Sequence, residues 1–307
     1  MANGTFTAVN LSQLPAPQVV EVLSFEDILQ ERIDYLVSLY PAGKQDSIRA
    51  GLALESDPRR KLLEENAYRE IIWRSRVNQA AKSVMLAYAQ RSDLDNIGAN
   101  TGVTRLVIQE ADATTIPPTP LVMESDDDFR YRIQLAPEAF TTAGSEGSYQ
   151  YHTRSADGSI RDAFITSYDP GVVTVYVSSR NGNGQVGEAV LDLVRAALNK
   201  KTVRPLTDQV LVMSAAPVEY TVSATLQIYD GPDPAVVIDA ARAAVREYVD
   251  NQRKIGYDIT TSGLIGALQQ PGVHKTVLVT PAQDVVIDDS EVGYCTAINI
   301  TQVPLNV

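Results

Sequence analysis

Six consecutive residues, Gly182-Asn183-Gly184-Gln185-Val186-Gly187, spell the GxGxxG pattern by which a dinucleotide-binding loop brings backbone amides up to a pyrophosphate. That chemistry needs the first glycine to end a strand, a helix N-terminus facing the phosphates, and an acid closing the next strand to hold the ribose. Here Ser178 to Asn181 intervene after a strand expected at 172–177, and Asp208 precedes the strand expected at 209–213 instead of ending it. A flexible polar loop accounts for these glycines better. A nucleophile, base and orienting acid can also be drawn from Ser148, His152 and Asp157, the roles of a hydrolase triad. Gly-x-Ser-x-Gly is absent around Ser148 and no oxyanion hole is evident, so His152 reads as a packed or capping side chain.

Metal chemistry finds little to work with. His152 and His274 lie far apart, and neither has a ligand-spaced His, Cys or clustered carboxylate beside it. The single cysteine, Cys295, rules out an internal disulfide framework and a thiolate cluster, and reads as a small core residue within an alternating strand. The run Asp126-Asp127-Asp128 lacks the Asp, Asn and Gly alternation of a calcium loop, whereas carboxylates in a first helical turn offset the helix dipole. Asp93 with Asp95 and Glu64 with Glu65 sit in helix-end or solvated settings. No catalytic, cofactor-binding or metal residue is therefore assigned. An enzyme using the 182–187 loop or His152 stands as the alternative reading, and a receptor-binding fibre is disfavoured by the lack of extended repetitive β segments.

Composition narrows the classes further. The 307 residues are 44% hydrophobic and 21% charged, which is globular and not disordered, and their number calls for two or three compact units. A formal net charge of −12 without any long Lys or Arg block argues against nucleic acid as a partner. Met1 to Leu14 lacks a basic segment followed by an apolar core, and no apolar run approaches the roughly 20 residues that span a bilayer. A soluble chain, not exported by the Sec route and without a membrane partner, is expected.

The elements that would position these groups fall into an α+β pattern: an N-terminal long-helix arm followed by two small, related α+β modules. Pro15 and Pro17 make residues 1–20 an extended arm lying on a neighbour. The helical region is 21–97. Phe25, Ile28, Leu29, Ile33, Leu36, Val37 and Tyr40 follow helical spacing, and Asp57-Pro58 opens a long helix over 58–91. Its stripe, Leu63, Ala67, Ile71, Val77, Ala81, Val84 and Tyr88, approximates a heptad seam, with Trp73 and Tyr88 as aromatic anchors. The two helices could close on each other as a hairpin. The first is only about half as long, however, so part of the longer seam would stay uncovered, which favours a bundle with other chains. Ile28, Ile33 and Leu36 with the stripe from Leu63 to Tyr88 are the candidate bundle interface.

A turn- and proline-rich linker with a helix capped by Ser125 occupies 98–143. The modules follow at 144–216 and 217–307. Helices are expected at 149–156, 188–198, from Pro234, and at 262–268, with strands at 161–168, 172–177, 209–213, 218–228, 275–280, 285–287 and 294–300. Residues 263–300 loosely repeat 147–177.

Several short pieces now stand in one order: Leu14-Pro15-Ala16-Pro17 with Phe25-Glu26-Asp27-Ile28-Leu29, Arg91-Ser92-Asp93-Leu94-Asp95 with Gly102-Val103-Thr104-Arg105, and Glu124-Ser125-Asp126-Asp127-Asp128-Phe129-Arg130 with Leu135-Ala136-Pro137-Glu138. Thr142-Ala143-Gly144, Tyr149-Gln150-Tyr151-His152, Ser155-Ala156-Asp157 and Val172-Val173-Thr174-Val175-Tyr176-Val177 complete the set. In order and spacing, over nearly the whole chain, they resemble the baseplate J-like proteins of contractile phages, including P2-like phages and R-type tailocins. The resemblance implies a structural wedge protein that pairs with a second copy of itself and joins other baseplate wedge proteins through a helical bundle. It implies copies in neighbouring wedges closing a sixfold ring around the hub and spike, with a part in triggering sheath contraction. Hub, spike and sheath are further candidate partners. It also implies residence in the tail baseplate of a particle assembled in the bacterial host cytoplasm, with no catalytic residues.

Overall fold

A computed structural model describes residues 11, 14, 15, 17, 19–141, 144–229, 231 and 233–303. The arm expected over 1–20 falls largely outside the described residues. The chain divides into two compact units, one ending at Thr104 and the next beginning at Arg105.

The first unit is helical. Ser24 accepts the Asp27 amide and starts α1, Phe25–Ser38, with Glu26 and Asp27 in the first turn offsetting the helix dipole. Pro41 precedes α2, Ala42–Leu52. Asp57 accepts the Arg59 amide and Pro58 begins α3, Pro58–Ser83, and α4 is Arg91–Asn100. Ile28, Leu29, Ile33 and Val37 of α1 meet Leu52 of α2 and Ala67 of α3 in one core, with Leu36, Leu63 and Ile71 packed at its edge. Arg32 and Arg74 both pair with Glu70 beside that core.

Three features differ from the sequence expectation. The helix expected over 58–91 ends at Ser83, because residues 84–89 turn back through short-range bonds, the Tyr88 and Ala89 amides both reaching the Met85 carbonyl. Ala89 is buried there, and the Tyr88 hydroxyl donates to the Leu14 carbonyl at 3.0 Å. α2 occupies a stretch read only as a stop, and α4 occupies part of the turn-rich region.

The second unit opens with a two-stranded antiparallel ribbon, β1 (Val107–Gln109) and β2 (Val122–Met123), followed by α5 (Asp126–Leu135) and a 3-10 turn at Ala136–Phe140. Next come α6 (Glu146–Arg154), β3 (Ile160–Thr166), β4 (Val172–Ser179), α7 (Glu188–Leu198) and β5 (Gln209–Ser214). β4 is central, antiparallel to β3 and parallel to β5, as a helical crossover through α7 requires. Tyr149, Ile160, Val175, Val177, Leu191 and Val194 are among the core residues beneath it.

The last portion holds β6 (Ala216–Ile228), α8 (Pro234–Gln252), α9 (Thr261–Leu268), β7 (Val273–Thr280) and β8 (Glu291–Val303). Strict alternation along β6 buries Tyr220, Val222, Ala224, Leu226 and Ile228 under the two helices. The sheet order is β7-β6-β8. The loose repeat between 147–177 and 263–300 is therefore not a repeat of pairing: β3 joins β4 directly, whereas β6 separates β7 from β8. The strand expected at 285–287 is a single bridge from Ile259 to Val285.

Candidate assembly surface

α3 carries two apolar faces, and the distinction follows from helix geometry. At about 100° per residue, Leu63, Ala67 and Ile71 lie on one side, but the step of six to Val77 turns through about 600° and leaves it about 120° from Ile71. Ala67 is fully buried against α1 and α2, while Trp73 is 70%, Val77 60% and Val84 74% exposed. Leu62 and Trp73 lie within about 20° of each other on this second face, with Val77 displaced to one side. Of the residues expected at an interface, Ile28, Ile33 and Ala67 are core of this chain, and Leu36, Leu63 and Ile71 are partly covered by it. Ala81 and Tyr88 are half-buried. What remains open is Trp73, Val77 and Val84, joined by Leu62, whose fit to the stripe shows only when positions are placed by angle. Exposed Tyr35 of α1 and Leu39 at its C-cap line an open groove with Glu31, Arg32, Leu36 and Leu63.

The groups that suggested catalysis are occupied or isolated. The loop at 182–187 is a tied turn and not a flexible one: Ser179 donates to the Gly184 carbonyl at 2.8 Å, Arg253 to the Gly182 carbonyl at 2.6 Å, and the Val186 amide to Ser214 Oγ at 2.9 Å. Gly182 and Gly184 hold φ of 56° and 102°, backbone that suits glycine. Asp208 accepts from the Tyr149 hydroxyl at 2.8 Å, and Glu188 puts a carboxylate in the first turn of α7, where a phosphate would have to sit. Among the described residues Ser148 Oγ and His152 Nε2 are each buried without a hydrogen-bond partner, and Asp157 binds its own turn through Ser159. Desolvation, helped by the Lys200 charge, lowers the His152 pKa. His274 Nδ1 lies 3.1 Å from the Tyr229 hydroxyl. Burial pushes the Cys295 thiol up, the opposite of an activated thiolate. Among the described residues no group of three or more His, Cys, Asp or Glu is placed to hold a metal, and no helix is long and apolar enough to cross a membrane.

The acidic run 126–128 does more than offset a dipole. Asp126 pairs with Arg105 at 2.8 Å, Asp127 with Arg130 at 2.6 Å, and Asp128 with Arg180 at 2.6 Å and Arg154 at 3.7 Å. Burial pushes the Asp128 carboxyl up, but Arg180 and Arg154 outweigh it and hold the pKa below the ordinary value. Arg154 also grips Asp162, and Arg132 forms two hydrogen bonds with Glu124 in a pair that is almost fully buried. Only Asp127 and Arg130 are near neighbours in sequence; the other partners lie from 8 to 52 residues apart, so no local motif announces this network.

Comparison with known proteins then decides the family. A model of the baseplate J-like N-terminal domain matches residues 55–112, one of the baseplate J-like central domain 141–214, and one of the baseplate J-like protein C-terminal domain 220–301. Baseplate protein J of Escherichia phage P2 is 51% identical over 288 residues, 94% of this chain and 95% of that one. The chain belongs to the baseplate J-like family. The match to the N-terminal domain takes in the whole of α3, with both of its apolar faces, the central match takes in the first mixed sheet, and the C-terminal match takes in most of the second. A chain of the anti-feeding prophage baseplate, a sixfold-symmetrised assembly, is 16% identical with a TM-score of 0.40, over 58% of this baseplate J-like chain and 44% of that one.

Proposed function

We propose that this chain is a structural wedge component of the baseplate of a contractile tail or tail-like particle, and that its chemistry is association and not catalysis. The observation that carries the proposal is the stripe of Leu62, Trp73 and Val77 on α3 with Val84 at its C-cap, large apolar side chains that the chain's own core does not cover. In a baseplate J-like chain this face is the surface for a helical bundle with a second wedge protein. Copies of the chain pair with each other and, with those of neighbouring wedges, close a sixfold ring around the hub and spike. Loosening of ring contacts on host attachment passes to the sheath, which contracts. Assembly takes place in the host cytoplasm.

Co-expression with the neighbouring baseplate proteins tests the reading. A stable complex is expected with the unaltered chain and none with Trp73→Glu combined with Val77→Glu. Complexes that form equally well with both would remove α3 as the joining surface, and a chain that stays alone in every combination would remove the wedge role.

A further inference from the structure

Both three-stranded sheets of the second unit pack helices on one face, but the sequence writes their other faces differently. Along β6 the far face holds Thr221, Ser223, Thr225 and Gln227 between the buried residues, the alternation of a strand with one side in water. The first sheet lacks that alternation. β4 runs Val172-Val173-Thr174-Val175-Tyr176-Val177 and β5 holds Val210-Leu211-Val212-Met213, apolar runs of the kind found in strands covered on both faces. One face is covered: Val173, Val175, Val177, Val210 and Val212 pack into the core that Tyr149 of α6 and Leu191, Val194 and Leu198 of α7 complete. On the opposite face, register sets Phe164, Tyr176 and Met213 in one row and Thr166, Thr174 and Leu211 in the next. Phe164 and Tyr176 meet Ile255 and Val292, which closes that face on the β3 side. The β5 side stays open. Leu211 and Met213 are each 43% exposed, and Tyr168, just past the end of β3, is 65% exposed. A strand that is apolar on both sides while one side faces water needs a cover from another molecule.

The charges around this face say what kind of molecule that is. The Tyr168 hydroxyl donates to Asp289 at 2.9 Å, and the Ala216 amide donates to the Ser290 carbonyl at 2.9 Å, which brings the 288–290 segment alongside the end of β5. Asp169 stands in the turn between β3 and β4. The arginines of the same module are engaged elsewhere, Arg154 with Asp128 and Asp162, Arg180 with Asp128, and Arg195 with Glu188 and Asp192, and among the described residues no ion pair takes up Asp169, Asp288 or Asp289. The apolar face therefore has an acidic rim. A second copy laid on it face to face would set the same three carboxylates against each other, on chains that each carry a net charge of −12. A surface with an apolar centre and a basic rim fits instead.

We infer that the face of Leu211 and Met213, flanked by Tyr168, is a docking surface for a different baseplate protein, which covers it with apolar side chains and sets Lys or Arg against Asp169, Asp288 and Asp289. This rests on the reading of the chain as an assembling component but names a surface separate from α3.

The test uses the full-length chain in complex with its co-expressed neighbouring baseplate proteins. A photoreactive benzophenone side chain placed at position 211 should cross-link to a different protein of that complex, within a stretch that carries Lys or Arg. Hydroxyl-radical oxidation of Met213 should be at least about fivefold slower in the complex than in the isolated chain, as burial of its sulfur requires. Asp169→Lys combined with Asp288→Lys should weaken binding of the cross-linked protein at least about tenfold, since like charges then meet across the rim. Both aspartates are exposed, so this variant keeps the unaltered melting temperature. Met213 oxidised at the rate of the isolated chain, cross-links confined to a second copy, or undiminished binding by the double variant would each overturn the proposal. Co-purification through α3 persists in all three cases, whereas failure of the wedge reading removes the complex altogether.

Discussion

Replacing Trp73 with alanine should weaken the bundle and leave the fold alone. Trp73 is 70% exposed on α3, facing away from the α1 and α2 core. A tryptophan buries roughly 150–250 Å² in an interface, so covering the exposed part removes on the order of 140 Å² from water, about 3.5 kcal/mol at ~25 cal/mol per Å². Alanine keeps only the first carbon, and the expected loss is about 2–3 kcal/mol, a rise in Kd of about 30- to 150-fold. The stability of the isolated chain should move by no more than about 0.5 kcal/mol. Ile33→Ala is the contrasting control: Ile33 is 8% exposed in the same unit, so its truncation should cost about 2–4 kcal/mol of folding stability. Titration calorimetry against the neighbouring wedge protein, alongside urea denaturation, separates the two. A Trp73→Ala chain that binds as well as the unaltered one, or that unfolds as easily as Ile33→Ala, would refute the division of α3 into a core face and a joining face.

Three further outcomes follow from the second unit. Arg132→Ala leaves the Glu124 carboxylate, 1% exposed, without the guanidinium that binds it, and should cost about 3–5 kcal/mol in urea denaturation. Asp128 has its pKa depressed in the folded chain, so the unfolded chain binds more protons in acid. The stabilisation is present above the unfolded value of about 3.9 and is lost as pH falls through the lower folded value, and Asp128→Asn should flatten that acid limb of a stability–pH curve. Gly184→Ala places a Cβ 3.0 Å from Val292 Cγ1 at a φ of +102°, and should lower the denaturation midpoint by the equivalent of about 1–3 kcal/mol.

Local chemistry was legible in the sequence where it acts alone. Asp57 with Pro58 marks the start of α3, Ser125 the start of α5, and the apolar spacing of 188–198 gives α7 as it stands. Alternation in 218–228 finds the body of β6 because one face of that strand is buried and the other is not. Long-range packing was illegible. The stripe from Leu63 to Tyr88 looked like one seam because steps of three and four recur in it, but the six-residue step after Ile71 moves the apolar positions to another face. Nothing at Val84 announces a helix end, since it is the burial of Ala89 and the reach of Tyr88 to Leu14 that accompany the turn there. The glycine loop misled in the other direction. It reads as open and polar, yet Arg253, 71 residues away, ties it down. Periodicity finds apolar positions, but only the packing of α1 and α2 tells which of them the chain itself covers.

A reconstruction of the assembled particle at side-chain resolution tests the central claim most directly. It should show Trp73 and Val77 of α3 and Val84 at its C-cap buried against helices of another chain within a ring of repeated copies. Finding these three side chains facing solvent in the assembled baseplate would contradict the account.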